Sequence, residues 1–196
     1  MKTPIERLLD NVNRSIAAKQ DFLRKTDQHA VFQTVADVLV SAYKRGGRLY
    51  IAGNGGSAAD AQHLAAEFVS KLANDRAALP AEALTVDSSV ITAIGNDYGY
   101  EQVFARQIAG KARPEDVFLG ITTSGKSINI LRALEQCKKQ GITSILFSAR
   151  DGGPAKALAD YCILATGDTT SAIQELQIVL AHTLCGCVEA ALFRHD

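Results

Sequence analysis

Three glycines in four positions, Gly53-Asn54-Gly55-Gly56, stand between an apolar run and a helical pattern, and this stretch constrains the chain most. Arg48-Leu49-Tyr50-Ile51-Ala52 reads as a short buried strand, rich in strand formers. Glycines leave the backbone after it free to take positive φ and to approach a ligand closely. Ser57 completes the loop, and a helix pattern opens at Ala58. The first amides of such a helix lack intrahelical partners, and its dipole points at the loop. Strand, glycine-rich turn and helix N-terminus together suit an anion, phosphate above all. The helix also carries His63 and Glu67 four residues apart, about 40° around the axis, so both lie on one face. A plain connection needs fewer glycines. The combination points to chemistry on a phosphorylated small molecule.

A chain of 196 residues suits one domain with a sizeable core, and no linker, repeat or low-complexity segment divides it. Lys+Arg and Asp+Glu balance at 21 each, so no global field favours nucleic acid or an anionic membrane. The N-terminus lacks a basic-then-apolar signal pattern, and no apolar run reaches the roughly 18 residues of a membrane span. Cys137, Cys162, Cys185 and Cys187 have neither disulfide-framework nor zinc-knuckle spacing and read as small buried hydrophobes. A reduced, cytoplasmic, globular protein is expected.

Thr3-Pro4-Ile5-Glu6 is a capping box with proline at the first helical position, and Leu8, Leu9, Val12 and Ile16 follow at helical spacing to about Lys25. Asp27 is the expected cap of a second helix, with Phe32, Val35, Val38, Leu39 and Ala42 inward and Gly46-Gly47 as its stop. This pair, residues 1–46, precedes any strand, and a partner subunit is a natural cover for its apolar stripe. In the core, 47–196, further strands are predicted over 83–86, 116–122, 142–148 and 161–165. Between them, Asp87-Ser88-Ser89 caps a short helix through Ile94, Asn96-Asp97-Tyr98-Gly99 reads as a turn, and a helical segment covers 102–108. Helices are predicted over 127–140, at Gly153-Pro154, and over about 170–193. Strands that are continuously apolar and alternate with helices imply an α/β fold, a five-stranded parallel sheet covered on both faces. Ligands of such sheets sit beyond the carboxyl ends of the strands, where loops 53–57 and 123–127 both fall.

Gly120-Ile121-Thr122-Thr123-Ser124-Gly125-Lys126-Ser127 satisfies the nucleotide P-loop expression. The loop is unusually rich in hydroxyls, however, and no later strand ends in a Mg²⁺-holding aspartate. Hydroxyls with backbone amides suffice for a monophosphate. His182 interrupts an otherwise apolar helix that has Gln174, Glu175 and Gln177 near its start, so it reads either as a satisfied core histidine or as a functional one. His29 and His195 read as surface residues.

Taken together, these residues resemble the phosphoheptose isomerases, a branch of the sugar isomerase (SIS) domain family, over nearly the whole chain. The likeness rests on Gly53-Asn54-Gly55-Gly56-Ser57-Ala58-Ala59-Asp60-Ala61-Gln62-His63 with Glu67, on Ala93-Ile94-Gly95-Asn96-Asp97-Tyr98-Gly99-Tyr100, on Thr123-Ser124-Gly125-Lys126-Ser127, and on Ile173-Gln174-Glu175 with His182. Any one motif is moderately specific; four in order at matching spacing are strong. The resemblance implies a single SIS domain, a flavodoxin-like three-layer sandwich. It implies substrate contacts from Asn54, Gly55, Gly56, Ser57, Glu67, Asn96, Asp97 and Gln174, with Thr122, Thr123, Ser124 and Ser127 on the phosphate. It further implies His63, Glu67, Gln174 and His182 as ligands of one Zn²⁺ per site, with Glu67 and His182 as the acid/base pair. Cytoplasmic homotetramers with sites at subunit interfaces would convert sedoheptulose 7-phosphate to D-glycero-D-manno-heptose 7-phosphate through an enediol. That step opens ADP- or GDP-heptose synthesis for lipopolysaccharide core or related glycans. Lys126 stands where many relatives have Asn, and Ala172 where many have Arg. A rival reading within the same fold is a non-catalytic module that binds a sugar phosphate or a protein, as relatives do that associate with the replication initiator and lack the glutamate.

Gln174 and His182 are eight residues apart, about 12 Å along a continuous helix. Zinc bonds are only about 2.0–2.2 Å long. One chain can hardly offer both to one ion, so each site is expected to draw them from different subunits.

Overall fold

The computed structural model describes residues 2–193. Helices α1 (Pro4–Phe22) and α2 (Thr26–Lys44) come first, followed by β1 (Leu49–Gly53), α3 (Gly56–Val69), β2 (Ala81–Ala83) and α4 (Ser88–Tyr98). A 3-10 turn and α5 (Ala105–Lys111) lead to β3 (Val117–Ile121), α6 (Ile128–Gln140) and β4 (Thr143–Ala149). Last come α7 (Gly153–Lys156), β5 (Tyr161–Ala165) and α8 (Thr170–Leu192). All strand pairs are parallel, in the order β2-β1-β3-β4-β5. The expected doubly covered sheet is present.

Both faces of β1 and β3 are buried at every residue, which explains their unbroken apolar sequence. One face packs Leu49, Ile51 and Leu119 under α2, α3 and α8 through Val35, Leu39, Leu64, Phe68, Leu176 and Leu184. The other packs Tyr50, Phe118 and Leu146 under α4, α5 and α6 through Ile94, Ile108, Ile130 and Leu134. The N-terminal pair divides between two roles. Helix α2 is one of the covering helices, with Val35, Leu39 and Ala42 at most 1% exposed. Helix α1 keeps Leu8, Leu9, Val12 and Ile16 open to solvent at 46–56%.

Several local expectations are corrected. Helix α2 begins at Thr26 with no side-chain cap, so Asp27 sits in the first turn, where a negative charge still suits the dipole. Strand β2 lies at 81–83 rather than 83–86, because Leu49 N–H donates to Pro80 and Leu84 N–H donates to Ile51, which fixes the ladder. Helix α4 runs on through Gly95-Asn96-Asp97 and stops only at Gly99, whose φ is 88°. Cys137 and Cys185 are buried, but Cys162 is half-buried and Cys187 exposed, since it points away from the face that α8 turns to the core. Helix α8 is long and apolar enough on average to span a membrane. Here its apolar side packs on α1, α2 and α3.

Candidate active site

The two predicted loops meet because β1 and β3 are neighbours. Gly53 pairs with Ile121 at the last register position, so the chain leaves both strands at the same height. Strand order also reverses there, and open α/β sheets take ligands at such switch points. Gly55 adopts φ 56° and ψ −121°, a conformation closed to residues with a Cβ, and α3 starts one residue later.

Asn54 turns its amide toward the second loop. Its Nδ2 donates to Asn129 Oδ1 at 2.9 Å, and Asn129 Nδ2 donates back to Asn54 Oδ1 at 2.8 Å. The Tyr100 hydroxyl donates to the same Oδ1 at 3.2 Å. Across from them, the Thr122 hydroxyl lies 3.1 Å from that of Ser127 and 3.5 Å from that of Ser124. Ser124 Oγ in turn accepts from the Lys126 N–H at 3.2 Å. Asn54, Tyr100, Glu101, Ser127, Ile128 and Asn129 line an open cavity of about 530 Å³. Spacing alone did not single out Asn129. Its signal was an amide in the first turn of the helix after a hydroxyl-rich loop.

Helices α3 and α8 leave the sheet side by side and run parallel. At their start, the Gln174 amide lies over Gly56, and a Cβ there would come within 2.7 Å of Nε2 and push the glutamine side chain aside. Two turns further on, His63 Nε2 lies 3.3 Å from His182 Nε2 and 3.2 Å from Glu67 Oε1. The imidazole rings meet edge to face, at 74° with centroids 4.9 Å apart. One ligand atom from each of the three residues lies within 4.8 Å of the other two. Bonds of about 2.05 Å at a tetrahedral angle would place ligand atoms about 3.3 Å apart. Both spacings from His63 fit, and the group can hold a metal ion. Asp60, one turn before His63, keeps Oδ2 buried without a hydrogen-bond partner among the described residues. Burial pushes its carboxyl above the usual range, and His63 opposes that in part.

Other predicted residues lie apart from this group. Gln174 sits beside Gly56, eight residues before His182 on α8. Asn96 and Asp97 occupy the exposed last turn of α4, where Asn96 Nδ2 donates to Asp97 Oδ1 at 2.8 Å. Thr123 is half-buried and Ser57 buried. His29 is exposed, with Nε2 3.0 Å from the Phe22 carbonyl, and His195 lies outside the described residues. The P-loop reading finds no support at the end of β4. Ser148 there is fully buried and donates to the Thr122 carbonyl at 2.8 Å.

The SIS domain family model matches residues 13–148. A phosphoheptose isomerase of Aneurinibacillus thermoaerophilus is 47% identical over 94% of this chain and 90% of its own. The chain belongs to the phosphoheptose isomerases of the SIS domain family. A second member, from Campylobacter jejuni, is 48% identical over 91% of this chain and 89% of its own. The solved phosphoheptose isomerase of Francisella tularensis superposes with a TM-score of 0.91 at 32% identity, covering 95% of this chain and 98% of that one. That of Neisseria gonorrhoeae gives 0.89 at 36% identity, covering 96% and 100%.

Proposed function

We propose that this chain is an aldose–ketose isomerase that converts sedoheptulose 7-phosphate to D-glycero-D-manno-heptose 7-phosphate. The observation that carries the reading is the meeting of Glu67, His63 and His182 from two parallel helices, in a member of the phosphoheptose isomerases. Two imidazoles and a carboxylate, with the side-chain oxygen of Gln174 as a further donor, would suit one Zn²⁺ per site. A Zn²⁺ held there supplies Lewis-acid polarisation of the sugar carbonyl. Glu67 takes the proton from C1 of the ketose and returns it to C2. His182 relays the hydroxyl proton from O1 to O2, so the enediol between them gains and loses nothing overall. The loops carrying Asn54, Gly55, Gly56, Ser57, Thr122, Thr123, Ser124 and Ser127 hold the phosphate end, with Asn96, Asp97 and Gln174 as further sugar contacts. The product suits the cytoplasmic synthesis of activated heptose for surface glycans.

The non-catalytic reading weakens because Glu67 and His182 are both present and adjacent. The assay is direct. Protein stripped with a chelator is expected to be inactive on sedoheptulose 7-phosphate, and added Zn²⁺ to restore turnover. No turnover in either state would leave a binding module.

We further propose a homotetramer with sites shared between subunits, supported by the exposed apolar stripe of α1 and by the position of Gln174. His63, Glu67 and His182 come from one protomer, while Gln174 of that protomer stands about 12 Å along α8 from His182. A shared site therefore takes Gln174 from the neighbour. Reassembling inactive Gln174→Ala and His182→Ala chains should restore up to about a quarter of wild-type activity, the share of sites with both residues intact under random mixing. Mixing Glu67→Ala with His182→Ala should restore none. Equal recovery in both mixtures, or in neither, would rule out this division of residues.

A further inference from the structure

Arg76 lies in the loop after α3, yet its side chain is 1% exposed, and that of Glu189 on α8 is 5% exposed. Arg76 Nε donates to Glu189 Oε1 at 2.7 Å, and the Leu72 N–H donates to the same oxygen at 3.1 Å. The rest of the guanidinium faces backbone. Nη2 donates to the Glu67 carbonyl at 2.8 Å, and Nη1 donates to the Phe68 carbonyl at 2.8 Å and the Ala77 carbonyl at 3.0 Å. Helix α3 has no basic residue in its last turn, so carbonyls left without intrahelical partners there are taken by a cation from outside the helix. One of those carbonyls belongs to Glu67 itself.

Glu189 follows His182 by seven residues, about 20° around α8 and about 10.5 Å along it. The fork thus ties the end of α3 to the stripe of α8 that carries His182. A buried ion pair is seldom more stable than an apolar pair of the same volume, and its best-attested use is to specify register. Sliding α8 by one residue would move Glu189 by about 1.5 Å and turn it by about 100°, which a planar fork cannot follow. We propose that Arg76 and Glu189 are positioning residues of the active site, holding α3 and α8 in the one register that brings Glu67 and His63 against His182. The activity part of this proposal rests on the isomerase reading; the metal-affinity part does not.

The decisive variant is the double substitution Arg76→Met with Glu189→Leu, which removes both charges together and fills the space. It is expected to unfold cooperatively near the wild-type temperature. Its Zn²⁺ affinity, measured against a competing chelator, should fall by about 10–100-fold, as when groups that orient metal ligands are lost. Its kcat should fall at least about 10-fold, with KM for the heptulose phosphate within about threefold. A folded double variant with wild-type Zn²⁺ affinity and kcat would overturn the proposal. Should the double variant fail to fold, Arg76→Lys decides: it keeps the charge opposite Glu189 but cannot also reach the Glu67 carbonyl. Lower Zn²⁺ affinity in that folded variant supports the proposal, and unchanged affinity overturns it. If the wild type turns over no heptulose phosphate, the isomerase reading alone falls, and Zn²⁺ affinity judges the pair.

Discussion

Replacing Glu67 by Gln is expected to lower kcat on sedoheptulose 7-phosphate by about 10²–10⁴-fold while leaving the protein folded and its KM nearly unchanged. The amide keeps the size of the side chain and an oxygen facing His63, but it cannot accept a proton from carbon. Glu67 is about one-fifth exposed and lies on the second half of α3, so the exchange removes no core contact. Metal content measured on the same sample separates two causes. Full occupancy with lost turnover assigns the loss to proton transfer; lost occupancy assigns it to ligation. Transfer of solvent deuterium into the sugar gives a second readout, because a base at carbon exchanges its proton with water before returning it. If Glu67→Gln keeps both turnover and deuterium exchange, the base is another residue. Asp60, one turn before His63 and with its Oδ2 unpartnered among the described residues, would be the first to test.

The chemistry depends on long-range placement that local sequence records unevenly. Strand β5 falls at 161–165 as predicted, and α6 ends at Gly141 in the left-handed conformation. In both cases apolar run and terminator agree. Strand β2 shows the opposite. Leu84-Thr85-Val86 has better strand chemistry than Ala81-Glu82-Ala83, but the ladder is set by β1, and propensity yields to pairing. The Asn96-Asp97 pair has turn chemistry and is nevertheless helical, because α4 needs its last turn to reach Gly99.

At the site, the two halves were legible for different reasons. His63 and Glu67 share a helix face, so their pairing follows from spacing, and the structure places them 3.2 Å apart. His182 lies 119 residues from His63, and no pattern within α8 says which neighbour it faces. The family motifs grouped these residues, and the parallel course of α3 and α8 supplies the physical reason. Arg76 and Glu189 carried no such signal. They are 113 residues apart and belong to none of the motifs, and only the fold buries them against one another.

The largest stability effect is expected at Gly125. Its φ is +63°, and a Cβ there would fall far inside van der Waals contact with the Gly152 carbonyl. The Gly125 carbonyl also accepts from the Ala155 N–H at 3.1 Å, so the second loop is bonded to the turn that opens α7. Gly125→Ala adds the cost of a left-handed residue, about 1–2 kcal/mol. It also forces the loop off Gly152 and weakens that bond, for about 1 kcal/mol more. A loss of about 2–3 kcal/mol would lower the melting temperature by about 4–12 °C in a domain of this size. Because the displaced loop is the one carrying Thr123, Ser124 and Ser127, KM for the sugar phosphate should rise as well. Gly141→Ala is the control: its φ is +69°, but nothing lies within 4 Å of the added Cβ. It should cost only the left-handed term and leave KM alone. Equal losses of stability for the two variants, with KM unmoved in both, would mean that the contact with Gly152 does not hold the loop in shape for phosphate.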